Sequence, residues 1–151
     1  MEIFGNSVFF IVLCLIGAIP LILFIRSIQN TLNLISPHNR KIKPSLIWLT
    51  LIPLPVLSNI WLFVLVTLVA NSLALEYTER NIPYKSKPTF IIGITMSVIS
   101  CLAYFSPFKK YTGILWFIFF FAYWAQIVRS KRDLIETQSK KISSPDFSNG
   151  M

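Results

Sequence analysis

The sequence predicts an all-α, polytopic integral membrane protein with four transmembrane helices. Hydrophobic residues make up 54% of the 151 residues, charged residues make up 13%, and the mean hydropathy is +0.65. Soluble domains carry about 25% charged residues, so this composition is typical of a chain that lies in a bilayer. One transmembrane domain is predicted over residues 1–142, and its four spans are residues 7–25, 46–74, 89–105 and 111–128.

The first span, residues 7–25, has the length that a bilayer requires. At a rise of about 1.5 Å per residue it covers about 28 Å, close to a hydrocarbon core of about 30 Å. The preceding MEIFGN contains no Lys or Arg, and no cleavage site follows the apolar run. We therefore predict a permanent span and not a signal peptide. A helical stripe of apolar residues continues the helix as far as Ser36-Pro37, where proline disfavours α geometry.

The second span, residues 46–74, contains WLTLIPLPVLSNIW and two alternate prolines, Pro53 and Pro55. They leave backbone carbonyls without intrahelical donors, which is costly in lipid unless neighbouring chain or a side chain such as Asn59 supplies a partner. Two interpretations stay open. Either one proline-kinked helix crosses the membrane, or a short re-entrant element over Leu46–Ser58 precedes the crossing helix.

The third span, residues 89–105, carries small residues at four-residue spacing. This spacing places them on one helix face, where another helix can approach closely. Together with the proline region, this face gives the candidate helix-packing or polar-path residues. They are Pro53, Pro55, Asn59, Gly93, Ser97 and Cys101.

The fourth span, residues 111–128, is bulky on all sides and is predicted to face mostly lipid. Tyr123 and Trp124 near its end, with Arg129 just beyond, are typical of an anchor at the membrane interface. The polar residues that follow extend the helix through Glu136. Residues 143–151 are predicted to form a disordered tail.

A polar group flanks the second span on both sides. The first loop is basic, and the end of the second span carries an acidic and a basic residue four positions apart, which on an exposed helix stabilise it by only about 0.2–0.5 kcal/mol. A solvated helix end is therefore expected. If the chain has a ligand site, we place it where this helix end meets the basic loop. The candidate juxtamembrane polar cluster is Asn39, Arg40, Lys41, Glu76 and Arg80.

Four spans place both termini on the same side of the membrane. That side carries eight Lys and Arg, against six in the other two loops. Because cytoplasmic loops tend to carry more positive charge, the sequence slightly favours termini in the cytoplasm.

The chemistry of the spans argues against catalysis and coupled transport. All six acidic residues lie at or beyond span ends, and the only histidine, His38, lies in a basic loop without an HExxH or GxSxG motif. Proton relays and ion-coupled transporters need ionisable groups inside the membrane. Cys14 and Cys101 have no metal-ligand spacing and are predicted to be packing residues. We expect no enzymatic activity, no cofactor and no metal.

The net charge of +8 belongs to the loops and the tail. It indicates contact with anionic lipid headgroups and not with nucleic acid. The sequence therefore favours a structural or accessory membrane protein, with a second copy or another membrane protein as its partner. The alternative is a subunit of a small oligomeric pore or channel, with the proline region lining a polar path.

Two segments resemble a group of small bacterial multi-span proteins of unknown function. They are Asn39–Tyr77, which includes NRKIKPSLIWLTLIP and SLALEY, and Tyr123–Leu134, YWAQIVRSKRDL. The resemblance covers about a third of the chain and implies four spans in a bacterial cytoplasmic membrane. It implies no activity and no functional residue. The sequence departs from the pattern of that group at Pro55, Ser58, Asn59 and Gln126.

Overall fold

The computed structural model describes the backbone of residues 2–51, 55–84, 86–105 and 109–143, and the side chains of residues 18–51, 56–84, 86–103 and 111–140. These residues form helices and contain no strand, so the predicted all-α class is confirmed for them. The elements in chain order are α1 (Glu2–Leu34), the 3₁₀ segment (Pro44–Leu51), α2 (Pro55–Glu79), α3 (Phe90–Phe105) and α4 (Lys109–Ser143).

Two helices are long and apolar enough to cross a membrane. Within the residues whose side chains are described, they are Val56–Glu79 in α2 and Tyr111–Lys140 in α4. The apolar stretch Phe90–Ala103 in α3 is shorter. By length and composition, this part of the chain supports two spans, fewer than the four that the sequence predicts.

The five elements pack around one core in a closed ring. α1 packs against the 3₁₀ segment, which packs against α2; α2 packs against α3, α3 against α4, and α4 against α1. The centre is filled by Phe24, Val66, Met96 and Tyr123, one from each α-helix, and each is at most 1% exposed. The 3₁₀ segment adds Ile47, which is fully buried.

The ends of α1 and α2 meet at one end of the ring, which we call the polar end. Arg80, just after α2, donates hydrogen bonds to the carbonyl oxygen of Leu34 at 2.8 Å and to that of Leu134 in α4 at 3.0 Å. Ser36 donates to Glu76 at 3.0 Å. The last residue of α1, the last turn of α2 and the second half of α4 therefore lie side by side.

The opposite end of the ring, which we call the far end, is marked by a second set of contacts. A cavity of about 190 Å³ there is lined by Leu21 of α1, Asn59 of α2, Ser100 of α3 and Trp116 of α4, together with Thr50. Because Leu21, Asn59 and Trp116 precede the residues at the polar end, α1, α2 and α4 all run from the far end towards the polar end. α3 runs the opposite way.

The 3₁₀ segment returns the chain from the polar end to the far end. Just before it, the Lys41 backbone N–H donates to Ser72 Oγ at 2.9 Å, and its last turn reaches the cavity that Thr50 and Ser58 share. The distance along α2 between Ser72 and Ser58 is about 21 Å at 1.5 Å per residue. The connection between α1 and α2 therefore runs along much of the length of the bundle.

The prediction of one kinked helix over residues 46–74 was wrong. The alternative of a short element before the second helix agrees with the structure in part, because the separate 3₁₀ segment precedes α2. The chain runs from the polar end towards the far end as the 3₁₀ segment and returns to the polar end as α2. α2 begins at Pro55, because proline suits the first position of a helix, where its missing N–H has no intrahelical acceptor. Pro53 lies outside the described residues.

The end of α2 is fixed by a Schellman turn. Ile82 N–H donates to the Tyr77 carbonyl at 2.9 Å, and Asn81 N–H donates to the Thr78 carbonyl at 3.2 Å. Asn81 has φ of 55°, a left-handed conformation that asparagine tolerates better than most residues. Ile82 packs against the core, so this turn sets the direction in which the chain leaves α2.

The helices at the chain ends are longer than the predicted spans. α1 continues to Leu34 and α4 to Ser143, because the polar stretches that follow the apolar ones contain neither proline nor glycine to stop a helix. The predicted disordered tail overlaps α4 only at Ser143. Residues 144–151 lie outside the described residues.

At Gly93, α3 approaches α2 and α4 closely. A Cβ atom there would lie 2.5 Å from Val66 Cγ1 and 2.7 Å from Tyr123 Cε2. The close approach covers the Tyr123 ring, which is fully buried and lies 5.8 Å from the Phe24 ring, centroid to centroid. The prediction that Tyr123 anchors the chain at the interface was therefore wrong.

We expect Gly93→Ala to destabilise the bundle by about 1–3 kcal/mol, because the methyl group must displace the stiff Val66 side chain or the Tyr123 ring. The matched control is Gly113→Ala in α4, where an added Cβ meets nothing within 4 Å. That change should be neutral or should gain up to about 1 kcal/mol of helix propensity. Thermal unfolding in detergent measures both, and equal midpoints for the two variants would contradict the packing described here.

Candidate functional site

The carboxylate of Glu76 is the centre of the polar end. It is fully buried, and both of its oxygens accept hydrogen bonds. Oε1 accepts from Ser36 Oγ at 3.0 Å and from Arg80 Nε at 2.7 Å. Oε2 accepts from the Ser36 backbone N–H at 3.0 Å and from Asn39 Nδ2 at 2.8 Å. Because three of these four groups can only donate, they favour the ionised carboxylate.

Arg80 supplies the balancing charge and joins three helices. Its Nη2 lies 2.6 Å from Glu76 Oε1, and its side chain is only 19% exposed. Its remaining bonds go to the carbonyl oxygens of Leu34 and Leu134. The Leu34 carbonyl closes α1 and lacks an intrahelical donor, so the guanidinium also caps the negative end of that helix dipole.

This geometry differs from the expected solvated helix end. The pair between Glu76 and Arg80 forms at the predicted spacing, but it is buried under the loop that follows α1. A buried pair with all its hydrogen bonds made contributes far more when one partner is removed than an exposed pair does. The cluster therefore has a structural role that the spacing alone does not indicate.

Asn39 extends the cluster to the surface. Its Nδ2 group also contacts Glu79 Oε2, which in turn lies 2.9 Å from His38 Nε2. The side chains of His38 and Glu79 are 65% and 49% exposed. The amide thus bridges one buried and one exposed carboxylate, and the His38 contact is a surface pair of small energetic value.

The other two residues of the predicted cluster lie beside it without contacting Glu76. Arg40 Nε donates to the Ile35 carbonyl at 2.8 Å, and its Nη2 donates to the Asn33 carbonyl at 3.0 Å. These bonds fold the loop back on the end of α1. Lys41 contributes its backbone N–H to Ser72, while its side chain is exposed.

An open cleft of about 570 Å³ lies next to the ion pair. Its lining brings together both charge signs and several neutral polar groups: Ser36, Glu76, Glu79, Arg80, Asn81, Thr137, Gln138 and Lys140. On the neighbouring face, Tyr77 donates to Asp133 Oδ2 at 3.1 Å and ties α2 to α4. Among the described residues, no group of three or more His, Cys, Asp and Glu side chains has the proximity to hold a metal ion.

The second set of candidate residues lies inside the bundle. Ser100 Oγ donates to Asn59 Oδ1 at 2.7 Å and links α3 to α2 beside the small cavity at the far end. Gly93 and Ser97 are buried, and Ser97 Oγ donates to the Gly93 carbonyl at 2.9 Å. Cys101 is a free, partly buried thiol. The small-residue face thus packs within the chain.

Sequence reasoning missed the residues that complete the cluster. Ser36 gives two bonds to Glu76, Ser72 holds the loop, and the carbonyls of Leu34 and Leu134 accept from Arg80. The predicted cluster groups Asn39 with Glu76, but the Ser36-Pro37 pair indicated only the end of α1 and not the bonds that Ser36 gives to Glu76. Every residue has a backbone carbonyl, so the residue type does not indicate which carbonyl accepts a hydrogen bond from Arg80.

We expect Glu76→Gln to destabilise the protein by about 1.5–3 kcal/mol, because it leaves the Arg80 charge without its buried partner. The control is Glu136→Gln, which removes the acidic member of another pair four residues apart. There the Arg132 and Glu136 side chains are 67% and 62% exposed and 3.7 Å apart, so the loss should stay below about 0.5 kcal/mol. Unfolding midpoints in detergent that rank the two variants in the reverse order would contradict this role.

The chain was compared with protein-family models, with curated proteins and with solved structures. None of the three comparisons found a match.

Proposed function

We propose that this chain is an integral membrane protein with a structural or accessory role, which presents its polar end to a protein partner outside the lipid. The observation that carries the proposal is the apolar outer surface of α4. Its membrane-length stretch is only 17% buried within the bundle. The exposed side chains there include Ile114, Phe117, Ile118 and Phe121, each more than half exposed.

Such a surface suits lipid and not water. Monomeric soluble proteins seldom expose contiguous apolar patches above a few hundred Å², whereas here α3 and the 3₁₀ segment also expose large apolar side chains, among them Ile91, Leu102 and Leu49. Hydroxyl groups along the helices bond within the chain: Thr67 donates to the Phe63 carbonyl at 2.8 Å, and Thr95 to that of Ile91 at 2.9 Å. Polar groups satisfied in this way are compatible with a hydrocarbon environment.

Four helical spans follow from this proposal. α2 and α4 have the required length, and α1, with its 33 residues, is long enough to cross beside them. α3 covers about 24 Å at 1.5 Å per residue, and local thinning of the bilayer accommodates so small a mismatch. The resemblance to small bacterial multi-span proteins supports a place in the bacterial cytoplasmic membrane.

The accessory role rests on the polar end. The cleft beside the ion pair is open and carries Glu79, Gln138 and Lys140 at its rim, a mixture of charges that suits a polar segment of another protein. The buried Glu76 and Arg80 hold the helix ends in place beneath it. We propose no catalysis here, because these two groups are committed to each other and to backbone atoms.

The pore alternative draws on a different observation, the cavity that Asn59 and Ser100 share at the far end. Within one chain the region below it is filled by Phe24, Phe120 and Tyr123. A conducting path would therefore have to form between copies, along the outer surface of the bundle.

A substitution on the outer face of α4 tests the membrane proposal. We expect Phe117→Asp to disrupt insertion, because an aspartate near the centre of a membrane helix costs about 2.5–3.5 kcal/mol. The control is Gln138→Asp, which places the same residue on an exposed position of α4 at the polar end. The measurement is the fraction of protein that stays with membranes after alkaline carbonate extraction. Phe117 is an exposed side chain, so a water-soluble bundle would tolerate both changes and would be extracted in both cases.

Site-specific photo-crosslinking in native membranes separates the accessory role from the pore. A photoreactive residue at Gln138 should give one discrete adduct with a different protein, while one at Ile118 on the outer face should give adducts with lipid. A ladder of adducts between copies of this chain from Ile118, with ion flux after reconstitution, would instead establish the pore.

A further inference from the structure

The strongest further inference concerns how the bundle is threaded through the membrane, and it rests on the proposed membrane function. We infer that the N-terminal end of α1 and the C-terminal end of α4 lie on opposite sides of the bilayer, with the polar end at the anionic cytoplasmic leaflet. This differs from the expectation that both termini share one side. Three observations carry it: the chain directions, the distribution of charge that these directions give, and the spacing of the charged boundaries.

The chain directions follow from the contacts at the two ends. α1 and α2 both finish at the polar end, where Arg80 binds the Leu34 carbonyl at 2.8 Å and Asn39 binds Glu76 at 2.8 Å. Two successive helices that run the same way require the chain between them to pass back through the apolar layer. The 3₁₀ segment, 8 residues long, covers about 16 Å of that return at about 2.0 Å per residue. With it, the bundle makes five passes, and an odd number of passes separates the two ends of the chain.

The 3₁₀ segment has the properties that such a passage needs. A 3₁₀ helix bonds N–H groups to carbonyls three residues earlier, which satisfies the backbone groups in the middle of the segment. Ile47 faces the core while Leu46, Leu49 and Leu51 are exposed. Trp48 is exposed too, and its indole N–H donates to Gln29 Oε1 of α1 at 3.3 Å. The segment thus presents apolar side chains outwards, packs Ile47 into the core and bonds to α1 through Trp48.

The positive charges separate cleanly once the directions are known. Of the 14 Lys and Arg, ten lie at the polar end or on the part of α4 beside it. These ten are Arg40, Lys41, Lys43, Arg80, Lys87, Arg129, Lys131, Arg132, Lys140 and Lys141. Two, Lys109 and Lys110, begin α4 at the far end. Arg26 lies within α1, between the two ends, and Lys85 lies outside the described residues.

The spacing of these charges along α4 matches a bilayer. From Lys110 to Arg129 the helix carries 18 consecutive uncharged residues, 111–128. The two charged positions are therefore about 28 Å apart along the axis, against about 30 Å for the hydrocarbon core. At the polar boundary, Lys87 Nζ donates to Asn71 Oδ1 at 2.9 Å, one residue from the Ser72 that binds the Lys41 backbone. The cations of the two loops and of α4 therefore lie at one level along the bundle.

A difference of ten against two gives the orientation. Cytoplasmic segments are enriched in Lys and Arg, and the cytoplasmic leaflet carries anionic lipid that attracts them. The polar end therefore faces the cytoplasm, the cleft beside the ion pair opens there, and the start of α1, which carries no Lys or Arg before Arg26, lies outside.

Cysteine accessibility tests the threading. In a background with Cys14→Ala and Cys101→Ala, single reporters are placed by Lys41→Cys in the first loop, Ser86→Cys in the second and Ser139→Cys near the end of α4. The probe is a membrane-impermeant maleimide, applied to intact cells and to inverted membrane vesicles. We expect all three reporters to react in inverted vesicles and to stay unlabelled in cells.

The fourth reporter, Asn6→Cys, should give the opposite result and react only from outside. Labelling of Lys41→Cys and Ser86→Cys in opposite preparations would overturn the inference, because simple alternation of single spans puts the two loops on opposite sides. Labelling of both loops only in intact cells would overturn the orientation. Release of every variant by alkaline carbonate would instead remove the membrane function on which the inference rests.

Added charge tests what sets the orientation. Asn6→Lys with Ser7→Lys places two cations where the inference puts the outside, and should lower the fraction of molecules that give the expected labelling pattern. Gln138→Lys with Ser139→Lys adds the same charge at the cytoplasmic end and should leave the pattern unchanged. Equal patterns for the two double variants would overturn the assignment by charge.

Discussion

The buried bond between Glu76 and Arg80 fixes the arrangement of this bundle. A carboxylate and a guanidinium removed from water need every oxygen and N–H matched, since an unmatched buried charge costs several kcal/mol. Here the matching groups come from Ser36, Asn39 and the carbonyls of Leu34 and Leu134. The pair is complete only when the last turns of α1 and α2 lie next to α4, so its chemistry specifies the register of three helices at once.

This requirement explains the unusual connection between α1 and α2. Because both helices must end at the same place, the chain between them has to return along the bundle, and the 3₁₀ segment does so in few residues. A 3₁₀ helix rises about 2.0 Å per residue, against about 1.5 Å for an α-helix. The proline-rich stretch fits this use. Pro44 begins the segment and Pro55 begins α2, so these prolines mark the boundaries of elements and not a kink within one.

Composition and periodicity predicted the parts of this fold that depend on local sequence. The helical class, the position of α3, the end of α1 before Ser36-Pro37 and the spacing of Glu76 and Arg80 all follow from nearest neighbours along the chain. Of the contacts between distant segments, only the grouping of Asn39 with Glu76 and Arg80 was predicted. The burial of Tyr123 depends on the missing side chain of Gly93, and the burial of Glu76 depends on a loop 40 residues earlier. Neither has a signature in the residues themselves.

The count of Lys and Arg in the loops gives an orientation only when the directions of the helices are known. If each apolar stretch crosses the membrane once, eight Lys and Arg lie on one side and six on the other. This difference is too small to orient a protein. When the same residues are assigned by the directions of the helices, ten lie at or beside the polar end and two at the far end. The difference arises because the basic first loop, with Arg40, Lys41 and Lys43, moves to the side of α2's end and the charged half of α4. The bias was present in the sequence throughout, but it becomes readable only when Ser36 and Glu76 are known to touch.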